Sequence, residues 1–243
     1  MATVEQHYDE VLSNVYSWMY GGLENNIQRY AEFFSQDQFS STSSDVALDL
    51  GAGCGFQSIP LARAGYAVTA IDLDAKLLNE LKDNADGLDI TTVQGDLLDF
   101  EKHTKGGVAL AVCMTDTILH LASREDVSTL FDKVFAALDT GGKFVVSFRD
   151  MTYELEGADR FLPVRSDEQK IFTCFLEYEE ETVKVHDILY QRIDDEWQLS
   201  KSFYRKLRLS QAWMSEKLLQ AGFREIDTSV DKGMITMIVE KAE

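Results

Sequence analysis

Between residues 46 and 148, short apolar runs alternate with helical segments. That alternation predicts an α/β fold: a parallel sheet with helices on both faces, joined by right-handed crossovers. From about 150 to 208 the pattern changes to β-branched and aromatic residues in rough alternation, which predicts an antiparallel insertion after the fifth strand. At Gly51, Gly53 and Gly55 three glycines follow an apolar run, the signature of a buried strand that ends in a tight turn and opens a helix.

Near the N-terminus, Val4, Tyr8, Val11, Leu12, Val15, Tyr16 and Met19 sit at helical spacing, so a helix is expected over 3–20, ended by Gly21-Gly22. A second helix carries Leu23, Ile27, Tyr30, Ala31 and Phe34 on one side, and a serine-rich stretch, 35–44, leads into the core. The first strand is 46–50. A helix at about 56–64 holds Pro60 near its first turn, where a missing N–H is tolerated. The second strand, 67–71, stops at Asp72, and Leu77, Leu78, Leu81 and Ala85 mark the next helix. The third strand, 90–93, runs into Gln94-Gly95-Asp96, and the fourth is 108–112. Continuous Val, Ile, Leu and Ala suit strands buried on both faces. A helix over about 124–138 starts at Ser123, with Asp126 three residues on, and is expected to end at Gly141-Gly142. The fifth strand is 143–148.

Three antiparallel strands are expected at 169–178, 182–191 and 196–208, with turns at Glu179-Glu180-Glu181 and Asp194-Asp195. A helix at 211–221 has Ser210 as its N-cap and Gly222 past its end. Two last strands, about 224–230 and 234–240, close a hairpin around Asp231-Lys232-Gly233.

At 243 residues, 45% of them hydrophobic, the chain suffices for one domain, or one with an insertion. Its formal charge of −19 repels phosphate backbones and anionic lipid, so neither a nucleic-acid nor a membrane partner is expected. Cys54, Cys113 and Cys174 are odd in number, far apart and in no CxxC pair. They predict no disulfide framework and no metal site. No basic stretch followed by an apolar one occurs in Met1–His7, and the expected location is cytoplasmic.

The glycine stretch defines a ligand. Gly51-x-Gly53-x-Gly55 departs from G-x-G-x-x-G because Phe56 stands where a dinucleotide site needs its third glycine. The preceding Asp49 suits a ligand with a cationic group. Asp72 ends the second strand, where a carboxylate holds a ribose diol in doubly wound folds. Asp96 ends the third strand and could accept from an exocyclic amine, with Leu73 and Leu97 packed on a flat base. An amino group, a ribose and an adenine without phosphates describe S-adenosylmethionine.

Here the sequence resembles the class I S-adenosylmethionine-dependent methyltransferases. The residues that carry the resemblance are Asp49-Leu50-Gly51-Ala52-Gly53-Cys54-Gly55, Ala70-Ile71-Asp72-Leu73 and Gly95-Asp96-Leu97. It covers about 46–150 strongly and 211–241 well. It implies a Rossmann-like seven-stranded sheet whose last hairpin is antiparallel. It also implies cofactor contacts from Asp49, Gly51, Ala52, Gly53, Asp72, Leu73, Asp96, Leu97 and Met114. The segment Val112–Leu121, with its His120-Leu121, resembles the small-molecule methyltransferases of the glycine N-methyltransferase type. Those carry N-terminal lid helices and an antiparallel insertion after strand five. The implied division is lid helices at 1–45, cofactor core at 46–150, substrate lid at 151–209, and the last helix and hairpin at 210–243.

Methyl transfer is an in-line displacement for which the enzyme supplies alignment and a dry site; a base is needed only where the acceptor carries a proton. His120 is the candidate base by position, with a structural helix-entry role as its alternative. Tyr16, Trp18 and Tyr20 could enclose the methyl, or simply pack the first helix down. Arg149, after strand five, could hold a substrate carboxylate, or pair with a nearby acid. Tyr204-Arg205-Lys206-Leu207-Arg208 is a basic run expected to alternate between the faces of a strand. The leading function is transfer of a methyl group to N or O of a small molecule. Two alternatives stand beside it: a nicotinamide-dependent oxidoreductase, weakened by Phe56 and Asp49, and a non-catalytic S-adenosylmethionine-binding protein. The acceptor and the oligomeric state are left open.

Overall fold

A computed structural model describes residues 12–39, 44–104 and 107–242. Most of the first expected helix, including Val4, Tyr8 and Val11, lies outside these residues. The part inside them is a short helix α1 (Tyr16–Met19), followed by α2 (Leu23–Phe34).

The core then alternates as the pattern requires: β1 (Val46–Leu50), α3 (Ser58–Arg63), β2 (Ala67–Asp72), α4 (Ala75–Asn84), β3 (Ile90–Gln94), β4 (Val108–Cys113), α5 (Arg124–Ala137) and β5 (Leu138–Arg149). Short 3-10 turns come after β3 (Leu97–Lys102) and β4 (Thr117–His120). The insertion contains β6 (Phe161–Ser166), β7 (Lys170–Tyr178), β8 (Thr182–Ile193) and β9 (Glu196–Leu207). The chain closes with α6 (Gln211–Gln220), β10 (Arg224–Asp231) and β11 (Met234–Glu240).

Seven strands form one mixed sheet in the order β10-β11-β5-β4-β1-β2-β3. The pairs β1–β2, β2–β3, β1–β4 and β4–β5 are parallel, while β11 runs antiparallel to both β5 and β10. This is a Rossmann-like sheet with a reversed terminal hairpin. Lys232 and Gly233, both with positive φ, make the two-residue turn that the strand twist favours.

Alternation along each strand divides the core. Leu48, Leu50, Ile71, Phe144 and Val146 face α5 and α6, while Ala47, Val68, Ala70, Leu110 and Val145 face α2, α3 and α4. A third apolar cluster lies on the inner face of the four-stranded sheet, where Phe172, Leu176, Val185 and Tyr204 meet Leu12 and Val15.

Two expectations fail for identifiable reasons. Gly141-Gly142 do not end a helix; α5 stops at Ala137, and both glycines lie inside β5, where its register with β4 shifts. A Cβ at Gly142 would stand 2.8 Å from the Asp139 carbonyl and 2.9 Å from that of Val108, so close backbone approach at this bulge is what demands glycine. The insertion has four strands, not three. The unexpected β6 contains Pro163, and proline argues against a strand except at an edge or a bulge. Here it is both: β6 is an edge strand, and its register shifts between Pro163 and Arg165.

Candidate active site

β1, β2, β3 and β4 end on one side of the sheet, and the chain leaves β1 in one direction and returns at β4 on the other. The crevice at such a reversal is where open α/β sheets bind ligands. A cavity of about 530 Å³ lies there. Tyr16, Gly51, Gly53, Asp72, Leu73, Asp96, Leu97 and His120 line it, joined by Asp74, Leu98, Thr117, Leu121 and Asp126 among others.

The glycine turn crosses from β1 to the end of β2. The N–H groups of Gly51 and Ala52 both donate to the Ile71 carbonyl, at 2.8 and 3.0 Å. Gly53 N–H donates to Asp72 Oδ2 at 2.8 Å, and Asp74 N–H donates to Asp72 Oδ1 at 2.9 Å. Asp72 thus ties the turn to the start of α4 while facing the cavity. Burial raises its pKa. Asp96 is exposed and accepts from Leu98 N–H at 2.9 Å, which starts the 3-10 turn after β3. Leu73 is 44% exposed, an apolar surface presented beside both acids.

Gly51 has φ +84°, and a Cβ there would lie 2.2 Å from Thr117 Cγ2. The turn after β4 therefore rests directly on the glycine turn. Gly53 meets Tyr16 instead, with a would-be Cβ 3.6 Å from Cε1. Tyr16 in turn stacks on Phe56 at 5.8 Å, so Phe56, the residue that breaks the dinucleotide pattern, supports the aromatic wall.

Six residues singled out from the sequence are not on the cavity wall. Asp49 shares the side of β1 that carries Ala47, and that side faces α3. It is 1% exposed and accepts from Ser58 Oγ at 2.6 Å, and burial pushes its pKa up to about 7. Ala52 and Met114 are buried; the Met114 carbonyl accepts from Thr117 Oγ1 at 2.9 Å. Tyr20 lies behind Tyr16, ring centres 5.0 Å apart, with its pKa raised by burial and by Asp116. Arg149 pairs with Asp116. Trp18 turns away as well: its indole N–H donates to Asp167 at 2.6 Å, in the turn between β6 and β7.

Asp116 was not singled out, and it accepts three hydrogen bonds, two of them from cationic side chains. It is 1% exposed, with Arg149 Nη1 and Lys206 Nζ (2.8 Å) on one carboxylate oxygen and Arg149 N–H (2.8 Å) on the other. Burial alone would raise its pKa, but Lys206 and Arg149 hold it at about 2. Lys206 comes from the inward face of β9, while its neighbour Arg205 points outward to Glu179 at 2.7 Å, as the alternating basic run implied. No local pattern marks Asp116, because its partners lie 33 and 90 residues away. His120 lines the cavity with its ring stacked on Tyr204 at 5.1 Å.

A second hollow, of about 380 Å³, lies on the far face of the four-stranded sheet between Phe161, Phe175, His186 and Phe203. It contains none of the strand-end acids or glycines. Among the described residues no group of His, Cys, Asp or Glu is placed to hold a metal ion, and no helix is long and apolar enough to cross a membrane.

Fold and site together define a Rossmann-like architecture with a cavity at its strand ends, and residues 47–142 match the family model described as a methyltransferase domain. The resemblance drawn from the sequence holds at the level of domain and fold. Among curated proteins, the chain is similar to a glycine/sarcosine N-methyltransferase of Aphanothece halophytica, 28% identical over 105 residues. That match takes in 42% of this chain and 40% of the relative, so the shared stretch is well under half of the relative's length. Among solved structures, the CcbJ methyltransferase from Streptomyces caelestis superposes with a TM-score of 0.80 over 98% of this chain and 99% of its own, at 16% identity. An amino pentose methyltransferase from Micromonospora echinaspora, solved with S-adenosylmethionine bound, gives 0.73 over 95% and 97%, at 11% identity. A sugar N-methyltransferase from Streptoalloteichus sp. gives 0.73 over 96% and 94%, at 12% identity.

Proposed function

We propose that the chain is an S-adenosylmethionine-dependent methyltransferase acting on N or O of a small molecule. The observation that carries this reading is the convergence of the glycine turn, Asp72 and Asp96 on one cavity at the sheet's reversal point. The residues fit the cofactor. Gly51 and Gly53 line the cavity where its methionine end would lie, Asp72 offers carboxylate oxygens for a ribose diol, and Asp96 with Leu73 and Leu97 suits an adenine. The volume lies within the usual range of about 300–1,000 Å³ for small-molecule sites. When bound, the cofactor supplies an activated methyl, so the protein's task is to align the acceptor and exclude water. His120 and Tyr16 line the cavity, and in this reading His120 is the base that takes a proton from the acceptor where one must leave. In this reading 46–150 and 210–243 carry the donor, while 1–45 and 151–209 shape the acceptor side.

The relatives' names extend the reading to amine acceptors, since a glycine/sarcosine and a sugar N-methyltransferase are both among them. The charge of −19 argues against nucleic acid and anionic lipid as partners, and Cys54, Cys113 and Cys174, all present as thiols, suit a reducing cytoplasm. Calorimetric titration with S-adenosylhomocysteine and with NADH tests the donor site, and NADH binding alone would overturn it. Incubation with a labelled methyl donor and a metabolite extract, followed by mass spectrometry, identifies the acceptor. Tight cofactor binding with no labelled product would leave a binding protein.

A further inference from the structure

We propose that Asp116 is a positioning residue for methyl transfer: gripped by Arg149 from one sheet and Lys206 from the other, it fixes the turn that aims Thr117 and His120 into the cavity. Only the activity arm of this inference rests on the methyltransferase reading.

The turn is strained. Thr115 and Asp116 are consecutive non-glycine residues in the left-handed region, with φ of 58° and 70°. Asp tolerates that region, but for β-branched Thr it is an outlier. Such backbone persists only where the surroundings over-determine it. They do so here. Thr115 N–H donates to Ser147 Oγ at 2.8 Å, and Asp116 N–H to the Ser147 carbonyl at 3.1 Å. The Asp116 carboxylate takes both a backbone and a side-chain donor from Arg149, and Lys206 besides. The end of β5 and the inner face of β9 thus hold one bend between them.

Beyond the bend, the chain faces the cavity. The Asp116 carbonyl accepts from Leu119 N–H at 2.9 Å, opening the 3-10 turn Thr117–His120. Thr117 then lies against Gly51, and both Thr117 and His120 line the wall. The strand that supplies Lys206 also supplies Tyr204, whose ring stacks on His120. β9 therefore grips this turn at two points, a charge at its start and a ring at its end. A neutral side chain at 116 would leave Lys206, 9% exposed, facing a site without its anion, and the bend would be held by its two bonds to Ser147 without the grip of β9 on its carboxylate.

Asp116→Asn isolates the charge, because Asn also tolerates left-handed backbone. The readout is the His120 ring resonance in the full-length protein labelled at its four histidines, assigned with His120→Gln. Tyr204→Leu gives the unstacked position. Asp116→Asn and Lys206→Met are each expected to move the His120 signal most of the way to that position. Leu218→Ala, a core truncation in α6 outside the ion pairs of Asp116, is expected to lose stability without moving it. In parallel, S-adenosylhomocysteine affinity should stay within about threefold, while methyl transfer to the acceptor found in the extract falls by about tenfold or more. If Asp116→Asn does not fold, Lys206→Met carries the test. A His120 signal that stays at the wild-type position in both variants, or moves equally in Leu218→Ala, overturns the proposal. Failure of the wild-type protein to bind S-adenosylhomocysteine would refute the donor reading and leave the resonance test standing.

Discussion

Replacing Gly51 by alanine adds one methyl where the glycine turn meets the turn after β4. The new carbon would lie 2.2 Å from Thr117 Cγ2, 2.6 Å from Oγ1 and 2.9 Å from Cβ, against an ordinary carbon contact of about 3.5–4.0 Å. Two costs add. An L-residue in left-handed backbone costs about 1–2 kcal/mol, and overpacking a filled site costs about 1–3 kcal/mol. Thr117 cannot swing aside freely, because its Oγ1 donates to the Met114 carbonyl at 2.9 Å. The single variant should therefore lose about 2–5 kcal/mol, a large fraction of a domain's net stability. Thr117→Ala removes the two closest atoms but leaves the backbone conformation unchanged. In Gly51→Ala/Thr117→Ala only the Thr117 Cβ, at 2.9 Å, still crowds the new methyl, so the double variant should lose less than the sum of the two single losses. Urea unfolding of all four proteins closes the cycle, and calorimetry with S-adenosylhomocysteine should show weaker binding in Gly51→Ala as Thr117 is pushed toward the cavity. Additive losses, or wild-type stability in the single variant, would mean that close approach of Thr117 is not why position 51 is glycine.

The same geometry sets three further outcomes. Asp72→Ala should weaken S-adenosylhomocysteine binding by on the order of 1–3 kcal/mol. It should also lower the unfolding midpoint, since the Gly53 and Asp74 N–H groups lose their acceptor; unchanged affinity in calorimetry would place the ribose elsewhere. Asp49, with its folded pKa near 7 against 3.8 unfolded, keeps its proton when the unfolded chain has lost it, so it destabilises the fold as pH rises from about 4 to 7. Relative to Asp49→Asn, the wild-type protein should lose ~4 kcal/mol across that window in denaturation curves, and parallel curves would exclude a buried, protonated Asp49. His120→Ala should lower the rate of methyl transfer more than it lowers cofactor affinity; an equal loss in both, or none, retires His120 as a base.

The core was legible because its signals are local. Buried parallel strands read as continuous apolar runs, and Ser123 and Ser210 mark helix starts that the structure keeps, each accepting from the N–H three residues on. Local signals also misled where one residue type serves two purposes. Gly141-Gly142 look like a helix stop and are a bulge, while β6, with Pro163 at a bulge in an edge strand, was not expected at all.

The acids at the strand ends show where such reading stops. Asp49, Asp72, Asp96 and Asp116 each stand at or near the carboxyl end of a parallel strand, and in the sequence they look alike. What separates them is which way each side chain turns and which charge meets it. Asp49 turns under the sheet to Ser58, where burial without a cation favours its protonated form. Asp72 faces the cavity, already fixed by two backbone donors. Asp96 stays exposed, and Asp116 meets two cations from different sheets that keep it ionised despite burial. The periodicity of β1 already places Asp49 on the side of Ala47, but only the packing says that this side is covered by α3. The Asp116–Lys206 pair spans 90 residues and two sheets, so nothing near either residue announces it. Position within a strand is thus a local property, whereas the chemistry of a carboxylate depends on partners that only the tertiary fold brings to it.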